Sequence, residues 1–551
     1  MAFPLSLLML LAGAISAFLT LIISRFSRNA TFICFIGAAG PIIAAQSAVT
    51  LIAQILTQGG QFTFAPFFFA DALSALLLGI IAMVSVLVML YSIPYVLREF
   101  HQGHLSISQI GLLYFWSGLL LTTMYFTVLC SSLGVMWVFI EATTLVSVPL
   151  VGLTGSKASL EATWKYLMLA TVGISFALLG TLILYASAVS QLGEGSNTLD
   201  WIFLLKHASD LNPGLVKLAF IFILVGYGTK AGLAPLHTWL PDAHSQAPTP
   251  ISALLSGALL NCAFYGILRL FLIARITIGV EYPSILLIVF GLFSIGFVIP
   301  FIIRQYDLKR LLAYSSVEHM GIIALAIGIG GKLGMYAAAL HMVTHALAKS
   351  TMFCVTGEVV DRTRTRKIAR IAGLSQAAPI VSTLLFISAL AIVGAPPMNV
   401  FISEWLTVMA MIVQQQYVIA GIFLMLLAIL FGAMLARITP MVWGNQPPML
   451  GPSDLSGIYS IVTITADPTT PMLQMQDIPN TNNMNTLSTH IDPPIHAAII
   501  APTSEKTHHF AILNGMAIGI LIPACTALLL LGLWIPQWLS FWIQSASEVL
   551  K

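Results

Sequence analysis

The sequence is short of charge. Lys and Arg number 23 and Asp and Glu 20 among 551 residues, 8% together, where a soluble domain carries about a quarter. With 58% AVILMFWYC and a mean hydropathy of +0.96, that scarcity excludes a soluble globule and points to one many-helix bundle in lipid. A net charge of +3 is too small to imply nucleic acid as a partner. Cysteine is scarce too. Cys34, Cys130, Cys262, Cys354 and Cys525 lie far apart in apolar runs with no C-x-x-C, which excludes an iron–sulfur cluster, zinc-type spacing and a disulfide framework. No nucleotide-binding motif and no nucleophile–base pair appears, so no cofactor is expected in this chain.

What the sequence has is apolar runs of span length, roughly 3–24, 31–56, 67–93, 110–129, 132–153 and 163–189 in its first part. Eight more follow, at roughly 213–239, 249–274, 282–303, 311–330, 333–357, 378–414, 416–440 and 510–535. The expected fold is all-α and polytopic, with about fourteen transmembrane helices. The first run lacks a basic leader and continues into Arg25 and Arg28, so it reads as a permanent helix. An even count puts both termini on one side. Most loop cations, including Arg98, Lys157, Arg304, Lys309, Arg310, Arg364, Arg366, Lys367 and Arg370, fall on the opposite face, so the positive-inside rule puts both termini outside the cytoplasm of a plasma (inner) membrane.

Two stretches break the pattern. Residues 444–509, rich in Pro, Asn and Thr, read as a polar cytoplasmic insert, with a short strand at GIYSIVTI as an option and His490, His496, His508 and His509 in no metal spacing. The tail QWLSFWIQSASEVLK sets aromatics beside a span end, as an interfacial belt does.

Ionisable groups inside apolar runs are the informative residues, because each costs at least about 2.5–3.5 kcal/mol at a helix centre. Glu141, Lys165, Lys230, Glu318, His319, His341, His345, Lys349 and Glu404 are such groups. Glu141 and Lys230 have opposite signs at mid-span, and the Gly and Pro around Lys230 should break its helix, as happens where a helix lines a wet cavity. A pair that only knits helices together is the alternative. His341, His345 and Lys349 stand at i, i+4 and i+8 on one helix face, in steps of about 6 Å. They suit a proton relay or plain polar packing. A metal site lacks the glutamate of H-E-x-x-H, and Lys349 would repel the ion. Glu404 follows a second Gly/Pro break, GAPPMNVF. Each broken span is the fourth of a five-span block, 110–274 and 282–440, and tandem odd-length blocks have opposite orientation, the inverted-repeat design of transporters. The helices of 1–109 precede these blocks and a last helix and tail, 510–551, follows the insert. Lys165, Glu161 and Asp71 lie nearer span ends, where pairing or snorkelling is an equal reading.

The strings GTKAGLAPLHTWLPDAHSQAPTPISALLSGALL (228–260), DLKRLLAYSSVEHMG (307–321), H-x-x-x-H-x-x-x-K (341–349) and GAPPMNVFISEW (394–405) resemble the antiporter-like proton-channel subunits of respiratory complex I, Mrp-type antiporters and membrane-bound nickel–iron hydrogenases. IEATTLVSVPLVGL, SLEATWKYLMLATVG and LLNCAFYGILRL are most similar to the hydrogenase-4 component F branch. The resemblance implies that Glu141 pairs with Lys230, and that His341, His345 and Lys349 form the polar set of the eleventh helix, with Glu404 as terminal acid. Ser256 and Asn261 stand where many relatives have a central lysine or histidine, so the link between half-channels runs through neutral side chains and water. The implied function is proton translocation by a non-redox subunit, alongside other membrane subunits and redox subunits with iron–sulfur and nickel–iron centres. A cation/proton antiporter subunit, or a partner in inorganic-carbon uptake, uses the same machinery without redox activity.

Overall fold

A computed structural model describes residues 2–57, 61–65, 68–193, 195, 197–445 and 504–550. The chain divides into two compact units, Met1–Asn445 with Leu513–Lys551, and Gln446–Ile512. Of the second unit the described part is a helix from Ser504 onward, so most of the expected insert, with the GIYSIVTI segment, His490 and His496, lies outside the described residues.

The first unit is a helical body. Helices α1 (Ala2–Phe26) and α2 (Ala30–Thr57) precede a hairpin of β1 (Gln61–Ala65) and β2 (Phe68–Asp71), antiparallel with Gln61 opposite Asp71. The third apolar run, roughly 67–93, is expected to be helical throughout. Strand β2 takes its first residues instead, and Asp71 starts the helix by accepting from Ser74 N–H at 2.8 Å. There follow α3 (Ala72–His101), α4 (Ile107–Leu129), α5 (Leu133–Val151), α6 (Lys157–Leu192), short α7 (Trp201–Lys206), α8 (Pro213–Ala231), α9 (Trp239–Gln246), α10 (Thr249–Leu254), a π turn (Leu255–Leu259) and α11 (Leu260–Ile278). The chain continues through α12 (Glu281–Arg304), α13 (Leu308–Ile329), α14 (Gly331–Thr363), short α15 (Leu374–Ala377), α16 (Pro379–Ile392), α17 (Asn399–Val413), α18 (Tyr417–Trp443), α19 (Ser504–Leu533) and α20 (Gln537–Val549).

Among the described residues eleven helices are long and apolar enough to cross a membrane, against the fourteen expected. The described apolar part of α1, Leu11–Phe26, and helices α16 and α17 are too short by themselves. The 33-residue α14 falls outside the eleven because it carries the His/His/Lys series and the Glu358–Arg362 end. The tail forms α20, which buries Leu539 and Ile543 and exposes Trp538 and Phe541.

Small residues let helices touch backbone to backbone, the commonest device where lipid removes a hydrophobic drive for association. A Cβ on Gly226 of α8 would lie 2.7 Å from Ala177 Cα of α6, and one on Gly291 of α12 2.8 Å from Gly321 O of α13. Buried charges pin α3 at both ends. At its start Arg269 of α11 donates to Asp71 through Nη1 (2.7 Å) and Nη2 (2.6 Å), with its guanidinium 3.9 Å from the Trp201 ring centre. At its end Arg98 Nη1 donates to Glu358 Oε2 of α14 (2.9 Å) and to Asn514 Oδ1 of α19 (2.7 Å). Arg98, counted above as a loop cation, is only 1% exposed. A guanidinium can be buried so deeply because Glu358, Asp361 and Asn514 surround it with acceptors. Arg269→Met would strand the Asp71 carboxylate, and is expected to lower stability by about 3–5 kcal/mol. The measurement is the melting midpoint in detergent, and an unchanged midpoint would refute the pinning role.

Candidate functional site

The first group of candidate side chains is built around the break after α8. Gly232 adopts the left-handed conformation (φ 84°) that ends the helix. Trp239 Nε1 donates to Thr229 O at 2.8 Å, taking up a carbonyl the ended helix leaves free. Lys230, in the last turn, is fully buried. Its ammonium donates to Ile140 O of α5 (3.2 Å) and to Thr144 Oγ1, while Thr144 donates to Glu141 Oε2 (3.3 Å). Glu141 is half-buried and also accepts from Thr171 of α6 at 3.2 Å. The expected direct Glu141–Lys230 pair is therefore replaced by a relay, Lys230 to Thr144 to Glu141. The reason is local geometry: Lys230 reaches the α5 turn between Ile140 and Thr144, and the hydroxyl three residues beyond Glu141 fills the interval.

The second group surrounds α14. His341, His345 and Lys349 are all fully buried. Lys349 Nζ donates to Leu312 O (3.2 Å) and to Ser315 Oγ on α13. Each lysine is thus held by one carbonyl and one hydroxyl of a neighbouring helix, α5 or α13. His319 of α13 inserts beside the α14 series: its Nδ1 lies 3.0 Å from His341 Nε2, and its ring centre 5.2 Å from that of His345. His341 Nδ1 lies 2.9 Å from Ser403 Oγ on α17, and Ser403 donates to Val400 O at 2.7 Å. One assignment satisfies this row with every group neutral: His319 donates to His341, His341 to Ser403, Ser403 to the carbonyl. The row has a direction, and a transferred proton reverses it. Glu318 and Glu404 are buried nearby. Gly394, at φ 65° in the break between α16 and α17, sits against the Glu404 carboxylate, and a Cβ there would overlap Oε2.

Between the groups, Ser256 in the π turn meets Ser316 of α13 at 2.8 Å, next to the Ser315 that holds Lys349. Asn261 donates to Gly257 O at 2.9 Å, and among the described residues no group donates to its buried Oδ1. Such an acceptor calls for water. Lys165 is not brought to this line. Its side chain is 49% exposed and paired with Glu161 (2.5 Å) and Asp242 (3.5 Å). Sequence reading missed Thr144, Ser315, Ser316 and Ser403, although the hydroxyls in EATT and AYSS adjoin Glu141 and Glu318.

A helical membrane body with lysines, histidines and acids buried about two broken helices defines an antiporter-like membrane subunit. The family described as NADH:quinone oxidoreductase/Mrp antiporter, transmembrane, matches residues 130–431. The hydrogenase-4 component F homolog of Methylacidiphilum infernorum (isolate V4) is 41% identical over 379 residues, 69% of this chain and 79% of that one. Hydrogenase-4 component B of Escherichia coli (strain K12) is 31% identical over 361 residues, 62% of this chain and 51% of that one. The chain belongs to this NADH:quinone oxidoreductase/Mrp antiporter family. The fold is shared with a chain of the membrane-bound sulfane sulfur reductase, an archaeal respiratory membrane complex (TM-score 0.71, 22% identity, covering 95% of this chain and 99% of that one). It is shared as well with a chain of the Mrp complex from Dietzia sp. DQ12-45-1b (TM-score 0.73, 19% identity, 98% and 96%).

Proposed function

We propose that this chain translocates protons as the membrane subunit of a hydrogenase-4-like or complex I-like assembly, with redox chemistry in partner chains that carry iron–sulfur and nickel–iron centres. The observation that carries the reading is the pair of fully buried lysines, Lys230 and Lys349, each held by one carbonyl and one hydroxyl. A purely structural bundle has no use for two buried ammonium groups without direct carboxylate partners. Blocks 110–274 and 282–440 act as half-channels, inverted with respect to one another, joined through Ser256, Ser316 and Asn261. The kinship with hydrogenase-4 components favours a redox partner over a stand-alone cation/proton antiporter.

Purification in mild detergent should bring hydrogenase-like chains with this one, and inverted vesicles should show proton uptake driven by the donor of that complex. Sodium-dependent proton movement with no redox chain attached would favour the antiporter reading and overturn the first.

The chain belongs in the plasma membrane with its loop cations on the cytoplasmic side. The five native thiols are buried and so silent to reagent. Lys157→Cys and Ser209→Cys stand at opposite ends of α6 and the loop that follows it. In intact cells a membrane-impermeant thiol reagent should label Ser209→Cys and spare Lys157→Cys, and the opposite pattern reverses the orientation.

A further inference from the structure

The turn joining α12 to α13 docks on the one-turn helix at 368–370 that follows α14. Leu308 N–H donates to Arg366 O at 2.9 Å, and Ile368 N–H to Tyr306 O at 2.8 Å. This docking gathers Arg304, Arg310, Lys367 and Arg370 around one cavity of about 810 Å³. Its single carboxylate, Asp307, is already engaged: it caps α13 by accepting from Arg310 N–H (3.0 Å) and faces Arg366 Nε at 3.7 Å. Arg310 is held by Asp242 of α9 at 2.9 Å. Arg304, Lys367 and Arg370 have no ion-pair partner among the described residues, so three free cations converge on the cavity.

Below them runs an aromatic series in which Phe293 and Phe301 face outward, 46% and 39% exposed, while Tyr314 is buried. Phe293, Phe297, Phe301 and Tyr314 form a continuous series with ring centres 5.3, 5.4 and 5.1 Å apart. Further along α12, Ile285 and Val289 are more than half exposed. Helix α12 has 24 residues, enough to cross a bilayer, and Arg304 is its last residue. The cations therefore stand at headgroup depth, directly above an apolar stripe at acyl-chain depth.

We infer that this cavity binds the phosphodiester headgroup of an anionic phospholipid, whose acyl chains lie along the outer face of α12. Guanidinium forks bind phosphate in bidentate fashion, as they do carboxylates, and basic pockets between membrane helices are a recurring headgroup site. A soluble anion would use the cations and leave the aromatic wall unused; a lipid uses both. The site also adjoins the first broken helix, because Arg310 pairs with Asp242 on α9, the second half of the helix broken after Lys230.

The test uses the full chain purified in its complex, delipidated in detergent and titrated with phosphatidylglycerol, phosphatidylcholine or inorganic phosphate, with native mass spectrometry and melting midpoint as readouts. Phosphatidylglycerol should bind and raise the midpoint, phosphatidylcholine and inorganic phosphate should not, and high salt should weaken the effect. Arg304→Gln with Arg370→Gln should bind phosphatidylglycerol about thirtyfold more weakly while melting in phosphatidylcholine like the parent. Arg370→Gln alone, at an exposed position, should show an intermediate loss if the double variant does not assemble. Equal retention of the two lipids, or undiminished phosphatidylglycerol binding by both variants, would overturn the inference. Equal protection by inorganic phosphate would reduce the cavity to a soluble-anion site, and finding it covered by a partner protein in the purified complex would also exclude the lipid.

Discussion

Lys230→Arg is expected to lower coupled proton translocation by about 10²-fold, the contribution of a well-placed proton-transfer group, while the protein still assembles. The ammonium occupies a slot between Ile140 O and Thr144 Oγ1 in a fully buried site. An ammonium can surrender its proton as its surroundings change, but a guanidinium keeps it. A simple positive charge required for packing would be supplied by either. Thr144 sharpens the experiment, because among the described residues its hydroxyl joins Lys230 to Glu141. Thr144→Val keeps the side-chain shape and removes both hydrogen bonds, so translocation should fall nearly as far as in Lys230→Arg. Thr144→Ser should retain most of it. If the pair only braces α5 against α8, the combination Glu141→Gln with Lys230→Met should restore assembly and function together, since a buried pair can be exchanged for neutral groups at little cost. Native gels for assembly and proton uptake in inverted vesicles separate the outcomes. Full pumping by Lys230→Arg or by Thr144→Val would refute the relay.

Gly394→Ala should silence the second group as thoroughly. Two effects add there: a φ of 65°, which an L side chain adopts at a cost of about 1–2 kcal/mol, and a Cβ placed on the Glu404 carboxylate. Only the second bears on translocation. Gly155 provides the control, since it has nearly the same φ, 67°, and nothing within 4 Å of its Cβ position. Gly155→Ala should therefore lower the melting midpoint slightly and leave proton uptake unchanged. Gly394→Ala should reduce uptake about 10²-fold, with a larger loss of stability than Gly155→Ala because the overlap with Glu404 adds to the cost of φ. Equal uptake by the two variants would show that Glu404 tolerates displacement and is not a transfer group.

Much of the site was legible because lipid makes charge conspicuous. Lys230, Glu141, the α14 series and Glu404 each interrupt an apolar run, and the Gly and Pro beside Lys230 and before Glu404 mark breaks that the structure places at Gly232 and Gly394. Hydroxyls carry no such signal. Serine and threonine inside a membrane helix commonly satisfy their own backbone, as Ser147 does on Thr143 O at 2.6 Å. Nothing in a one-dimensional pattern distinguishes it from Thr144, which lies between a lysine and a glutamate. The same limit hid His319 as the partner of His341, because the two lie 22 residues apart on different helices.

Charge near a span end was the least legible feature. Arg98, Lys309 and Lys165 look alike in sequence, yet the first is locked to Glu358, the second donates from a buried position to Ala247 O at 3.0 Å, and the third is half exposed. Which of these a cation becomes depends on whether a neighbouring helix offers an acceptor at that depth. The sequence by itself determined the membrane class, the helical repeat of apolar runs, the two breaks and the identity of the ionisable groups, because bilayer thickness and the cost of buried charge act on each segment separately. Only the tertiary structure decided which groups meet. Helix packing set Thr144 between Lys230 and Glu141, set His319 beside His341, pinned α3 between Asp71–Arg269 and Arg98–Glu358, and left Lys165 outside the buried line. Those contacts depend on the rotation and depth of one helix against another, which close approach at residues such as Gly226 and Gly291 fixes and hydropathy does not record.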